Sequence, residues 1–345
     1  MQKKRWFKWT MLIFALVVLY QLARPFFIQK EWQARNYVYD RVKSVFWEAN
    51  EQASQLYGLR PYEKGSHLMG KGPIVILVHG LDEPGRIWSN LAPVLDEKGY
   101  GVLFMSYPND QNVAASARFF FDCLKKYPFK DQKMIHVIAH SMGGLVSREM
   151  LTHPEIDYFF ESEKGRLPRV KNLILVGTPN HGSELARFRF FMEIRDQVQN
   201  LFEKDGHWLQ GLLDGTGAAG IDLIPGSDFL TILNSRPHPL NSDLHIIAGV
   251  ISPWSDHDIH AFMGHLKVNG PDKGQARITG FEKALVKINH TIGDGLVTLD
   301  SARLDSIPLT QVQGNHLTML KNILPDSDKM PPAIPVILEI LDPKL

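Results

Sequence analysis

Residues 134–151 read MIHVIAHSMGGLVSREML, and the order of these side chains decides the fold class. Met134 to Ala139 is a short apolar run of the kind that forms a strand buried on both faces. Two glycines and a helix-patterned segment, GLVSREML over 144–151, follow at once. Ser141 stands at the junction. A strand that turns sharply into a helix at a serine lifts the hydroxyl above the sheet end, and residues two before and two after must be small because strand and helix pass close. Here those positions hold Ala139 and Gly143. The usual pattern has glycine at both, and alanine adds one methyl group, which leaves the turn feasible. Ser141 is therefore a candidate nucleophile, against the plainer reading of a serine capping a helix N-terminus.

The chain around this stretch repeats the same grammar. Apolar runs of about six residues occur at PIVILVHG (73–80), GVLFMSYP (101–108), NLILVGTP (172–179) and LHIIAGV (244–250), each ending in Gly, Pro or Val. Helix-patterned segments such as Trp88–Lys98 and Asn112–Lys126 separate them. Buried strands alternating with helices predict an α/β fold, a mostly parallel sheet covered by helices on both faces. Ile307–Val312 alternates and is the expected final strand. Between Ser183 and Arg236 the strand rhythm stops, and the segment is rich in Phe188, Phe190, Phe191, Met192, Trp208 and other large apolar groups. Residues 184–236 are expected to be a helical lid or cap insertion, because active-site loops gather at strand ends.

Composition narrows the function classes. The 345 residues are 44% hydrophobic and 22% charged, with formal net charge +1. With no clustered basic and aromatic patch, nucleic-acid binding is not expected. Cys123 is the single cysteine, so no intrachain disulfide and no cysteine-rich zinc site can form. At the N-terminus Lys3, Lys4, Arg5 and Lys8 precede the uncharged run Thr10–Ala23, an export-type signal without a convincing cleavage site. Residues 1–28 are expected to be an uncleaved signal anchor, with the catalytic domain on the extracytoplasmic (periplasmic) side. Arg24, Lys30 and Arg35 weaken that orientation, and a cleaved signal peptide is the alternative. Residues 29–70 read as an amphipathic helical linker ending near Gly58, and 71–345 as the catalytic domain.

A serine nucleophile needs two oxyanion donors, a base and an acid. The Met142 amide, directly after the serine at the helix start, is one expected donor. The Leu81 amide, after the strand that closes in His79-Gly80, is the other. His79 itself reads as a brace for that loop. The acid and base should follow the serine in that order. Asp294, between two glycines in INHTIGDGLVTLDSARL (288–304), fits the acid, with Asp300 and Asp305 as alternatives. His316 in TQVQGNHLTML (310–320) fits the base; His290, the competitor, precedes the acid. A catalytic Asp accepts from the far nitrogen of the histidine and fixes its tautomer.

With these residues in view, the chain from about Gly72 onward resembles an α/β-hydrolase of the bacterial lipase and esterase type. The matching stretches are VHGLDE, AHSMGGL, GTPNHGSELA, GDGLVTLDSARL and GNHLTML, in the expected order. The resemblance implies acyl transfer through an acyl-enzyme, with Ser141, Asp294 and His316 as triad and no cofactor. GTPNHGS resembles a segment shared by triacylglycerol lipases and by relatives that deacylate glycerophospholipids or lipid anchors. A lipid-like carboxylic ester is the expected substrate, given the anchor and the apolar insertion. A phospholipase, a lipid acyltransferase or a thioesterase would use the same triad, and a non-catalytic membrane-tethered binding protein is the reading from another class. Acyl length, head group and oligomeric state stay open. Some relatives bind calcium near the histidine, but Asp256, His257, Asp258 and His260 in WSDHDIH (254–260) lack ordered calcium-loop spacing, so a solvated loop and no metal are expected there.

Overall fold

The strands β1 (Gly58–Pro61), β2 (Ile74–Val78), β3 (Gly101–Ser106), β4 (Met134–His140), β5 (Arg169–Val176), β6 (Asp243–Val250) and β7 (Leu309–Gln313) form one sheet. Its order is β1-β3-β2-β4-β5-β6-β7, and every neighbouring pair is parallel except β1 with β3. This is a computed structural model, and it describes residues 57–62, 72–81, 85–108, 111–129, 132–183, 216–251, 256–269, 275–322, 327 and 329–342.

The buried strands alternate their side chains between two apolar layers. Ile74, Ile76 and Val78 of β2 enter one cluster, while Val75 and Leu77 enter the other. Helices α2 (Val113–Lys126) and α3 (Met142–Thr152) cover the first face with Phe120, Leu124, Leu145 and Val146. Helices α1 (Leu91–Glu97) and α10 (Ala333–Leu341) cover the second with Leu91, Leu95, Ile334 and Ile337. Burial on both faces is why these strands read as unbroken apolar runs. Helix α2 shows the local logic. The Asn112 side chain accepts from Ala115 N at 2.7 Å and caps it, and Lys125 and Lys126 complement the dipole in its last turn.

The strand order positions the site. β3 lies on one side of β2 and β4 on the other, so the topology switches direction between β2 and β4. A crevice opens outside the carboxyl ends of the strands at such a point, with loops and helix N-termini around it. The residues after β2 and β4 there are His79-Gly80-Leu81 and Ser141.

Three expectations meet a different arrangement. Gly58–Pro61, assigned above to the linker, is strand β1 on the sheet edge, so the sheet begins ahead of residue 71. The segment WSDHDIH was expected to be a solvated loop, but helix α7 (Asp256–Asn269) begins within it, and it pairs with the longer α8 (Gln275–Ile292). The i,i+4 pair Ile259 and Met263 is buried, which anchors α7 despite its polar sequence. In the expected lid, Ala219 of α5 (Thr216–Asp222), Leu223 just after it, and Leu230 and Leu233 of α6 (Asp228–Ser235) instead join the main core. Residues 184–215, the expected signal anchor at 1–28 and most of the expected linker lie outside the described residues. Among the described residues no helix is long and apolar enough to cross a membrane. The sheet face is completed by α4 (Tyr158–Glu163), whose Tyr158 donates to the Pro168 carbonyl.

Asp222 ties α5 to the body of the molecule: its Oδ2 accepts from Val113 N, 2.8 Å away, at the start of α2. Burial pushes its carboxyl up to about 6, Glu149 adds to the rise, and the Val113 hydrogen bond opposes it. A carboxyl with a raised folded pKa binds its proton more tightly folded than unfolded. Its contribution is therefore whole below the unfolded value and is lost as pH rises through about 6. Asp222→Asn keeps an acceptor for Val113 and removes the cost, so at pH 8 it should stabilise the protein by on the order of 2–3 kcal/mol. Urea midpoints at pH 4 and pH 8 check this: the two proteins should differ at pH 8 and converge at pH 4. Equal midpoints at both would remove the buried carboxylate from the account.

Candidate active site

Ser141 is the residue between β4 and α3, with φ 53° and ψ −128°. Residues with a Cβ rarely occupy that conformation. It is held by Ser141 N donating to Val176 O at 2.9 Å and Gly144 N donating to Ser141 O at 3.0 Å. The close packing expected at the elbow is present. A Cβ on Gly143 would fall 2.6 Å from Val78 O and still closer to His79 O, so the helix can leave the strand here only without a side chain. A Cβ on Gly80 would fall 2.7 Å from Ser141 Cβ, which places the loop after β2 directly against the serine.

That loop is braced. His79 Nδ1 donates to the Gly80 carbonyl at 2.8 Å, and Tyr107 Oη donates to the His79 carbonyl at 2.7 Å. The two rings stack with centroids 4.6 Å apart. Burial lowers the His79 pKa, so the ring works as a neutral strut. Leu81 follows immediately. Met142, on the other side of the serine, is the first residue of α3, so its amide has no acceptor within the helix. Met142 thus directly follows the serine, and Leu81 follows Gly80, the glycine that lies against it.

The expected acid and base meet. Asp294 Oδ2 and His316 Nδ1 are 2.7 Å apart, and the two residues are 2% and 7% exposed. A carboxylate only accepts, so Nδ1 carries the proton and Nε2 is left as the basic nitrogen. Asp294 Oδ1 accepts from Leu296 N and Val297 N at 2.9 and 2.8 Å, which fixes the carboxylate. His316 N donates to the Asp294 carbonyl at 3.0 Å, so main chain and side chain both join the pair. Asn315 Oδ1 accepts from Leu317 N and Thr318 N and holds the turn that carries the histidine. The His316 ring reaches the elbow through His140, the residue before the serine, at a centroid distance of 4.6 Å.

The alternatives lie elsewhere. His290 bonds Asp300 at 3.0 Å and Asp256 at 2.8 Å. The Asp305 carbonyl accepts from His238 at 3.1 Å. The competing base and a competing acid thus pair with one another, away from the Asp294–His316 pair. Among the described residues no group of three His, Cys, Asp or Glu side chains could hold a metal ion.

Sequence reasoning gave the GTPNHGS stretch (177–183) no physical task, and the structure supplies one. Ser183 Oγ donates to the Leu296 carbonyl at 2.6 Å, His181 N donates to Ser301 O, and Ser301 Oγ donates back to Gly182 O. Asn180 Nδ2 donates to the Ala302 carbonyl at 2.7 Å, and its Oδ1 accepts from buried Arg148 at 2.9 Å. The stretch therefore clamps the acid loop and α9 (Leu299–Ala302) onto α3, so Asp294 is fixed relative to the elbow.

Comparison with known proteins bears on the fold. A family model described as a PGAP1-like alpha/beta domain matches residues 105–216. Among solved structures, the mature Bacillus licheniformis lipase BlEst2 superposes with TM-score 0.51 at 20% identity, covering 82% of this chain and 97% of that one. The chain shares its fold with this lipase. The Staphylococcus hyicus lipase has a TM-score of 0.50 at 14% identity, covering 83% of this chain and 97% of its own. The metagenomic carboxyl esterase MGS0156 has 0.50 at 17%, with coverages of 78% and 74%. No curated protein sequence matches the chain. Along the chain Ser141 follows β4, Asp294 follows β6 and α8, and His316 follows β7.

Proposed function

We propose that the chain is a serine hydrolase of carboxylic esters, acting on a lipid-like substrate through an acyl-enzyme. The observation that carries this reading is the 2.7 Å contact of Asp294 with His316 Nδ1, at the same sheet end as a serine held at φ 53°. His316 Nε2 takes the proton from Ser141 Oγ as that oxygen attacks the ester carbonyl. The Leu81 and Met142 amides receive the developing oxyanion, an interaction worth roughly 2.7–4 kcal/mol of barrier per donor. Collapse breaks the bond to the leaving alkoxide, which takes the proton from His316. Water then repeats the sequence and releases the carboxylic acid. Asp294 holds the proton on Nδ1 throughout and stabilises the imidazolium formed when Nε2 takes the serine proton.

The lipid-like character rests on residues 1–28, read as a membrane anchor with the domain on the extracytoplasmic side, and on the large apolar groups such as Phe188, Phe190, Phe191 and Trp208 in the 184–236 segment read as a cap. The solved neighbours include a lipase and a carboxyl esterase, which supports an ester substrate. The test is a series of p-nitrophenyl esters of rising acyl length with the full chain in detergent, alongside a fluorophosphonate probe. Hydrolysis favouring the longer chains, with one equivalent of probe inactivating the enzyme and mapping to Ser141, is the expected result. Absence of both hydrolysis and labelling from a folded sample would overturn it.

A further inference from the structure

The acyl-transfer scheme gives His140 no step, yet it is 1% exposed and lies directly against the base. Its Nε2 is 3.0 Å from the main-chain oxygen of His316. A carbonyl only accepts, so Nε2 carries the proton and donates. Nδ1 is then bare, and it is buried with no hydrogen-bond partner. A second proton there would be a buried donor without an acceptor, which is costly. Burial, reinforced by the neighbouring His316, accordingly holds its pKa well below the ordinary value. The ring packs at 47° to the His316 ring, and Trp88 meets it edge-on from another side at 6.4 Å.

The geometry points to His140 as a positioning residue: its donated hydrogen bond and its ring fix the main chain and the plane of His316, keeping Nε2 of His316 aimed at Ser141. Both polar main-chain groups of His316 are then tied, N to the Asp294 carbonyl and O to His140. The donor must also be uncharged. A lysine or arginine there would oppose the imidazolium that forms on His316 during reaction, at a separation where buried charges interact strongly. A neutral imidazole supplies the hydrogen bond without that penalty. This inference rests on the hydrolase reading above.

Glutamine and methionine at position 140 separate donor from bulk, since they are close in shape and only glutamine donates. The readouts are kcat and KM on p-nitrophenyl butyrate, with active sites counted by the fluorophosphonate, and the downfield proton signal of His316 Nδ1–H. His140→Gln should keep kcat within about threefold, while His140→Met should lose about 10- to 100-fold in kcat at unchanged KM, as expected for a misaimed base. The proton signal should move in His140→Met alone. Equal kcat and an unmoved signal in the two variants would make His140 a core filler and overturn the proposal. If His140→Met does not fold, His140→Asn, too short to reach the carbonyl, should show the same losses. If the wild type hydrolyses no ester and takes no probe, the hydrolase reading fails alone. The proton signal then decides His140: moved in His140→Met, it supports the positioning role, and unmoved, it overturns it.

Discussion

Ester hydrolysis should fall by roughly 10⁵- to 10⁶-fold in kcat when Ser141 is replaced by alanine or by glycine, because the covalent step then has no nucleophile. The two variants should nonetheless differ in stability. At φ 53° and ψ −128° the serine Cβ is crowded by its own backbone, a conformation that costs of order 1–3 kcal/mol. Glycine removes that Cβ, although its freer unfolded chain takes back up to about 1 kcal/mol. The net expectation is a Ser141→Gly protein more stable than wild type by about 1 kcal/mol. Ser141→Ala keeps the Cβ and should show no such gain. Urea unfolding of the three proteins beside their kcat values checks both halves. More than a hundredth of wild-type activity in Ser141→Ala would remove the serine as nucleophile, and equal stability of the two variants would remove the strain.

The strands that build this site were legible because each is buried on both faces and so carries an unbroken apolar run. β1 was not, because Gly58-Leu59-Arg60-Pro61 sits half-exposed on an edge, where neither alternation nor a run is required. Helices α7 and α8 escaped for a related reason. α7 is anchored by the apolar pair Ile259 and Met263, while Phe262 and Phe281 face outward, so the helical period is diluted. The apolar residues of 216–235 could not be divided between cap and core by periodicity, since both uses demand the same pattern. Asp294 and His316 were legible through their glycine neighbours and their order along the chain. Chain order proposed the pair Asp294 and His316 but gave no partner for His290. His290 and His316 are each near an acid in the chain, and only the placement of β7 beside β6 brings His316, and not His290, to Asp294. The contact of His140 is hidden for the same reason: its partner lies 176 residues away.

Asp294→Asn should lower kcat by about 10⁴-fold with little change in KM, by fixing the wrong tautomer of a well-placed histidine. The asparagine side chain has one oxygen and one NH2 group to set against three donors. Leu296 N and Val297 N both point at the position of Oδ1, and His316 Nδ1–H points at the position of Oδ2. Turning the NH2 toward the two amides would leave both buried donors without an acceptor, at roughly 1–3 kcal/mol each. The asparagine oxygen should therefore stay with the amides and its NH2 should face His316. His316 then accepts at Nδ1 and carries its proton on Nε2, where it cannot take the proton of Ser141. The fold should be unaffected, and the fluorophosphonate should label Ser141 correspondingly slowly. Asp300→Asn is the matched control. Its side chain is 74% exposed and bonds His290, so its kcat should stay within about threefold of wild type. A loss below about 100-fold in Asp294→Asn, or a larger loss in Asp300→Asn, would move the acid's role away from Asp294.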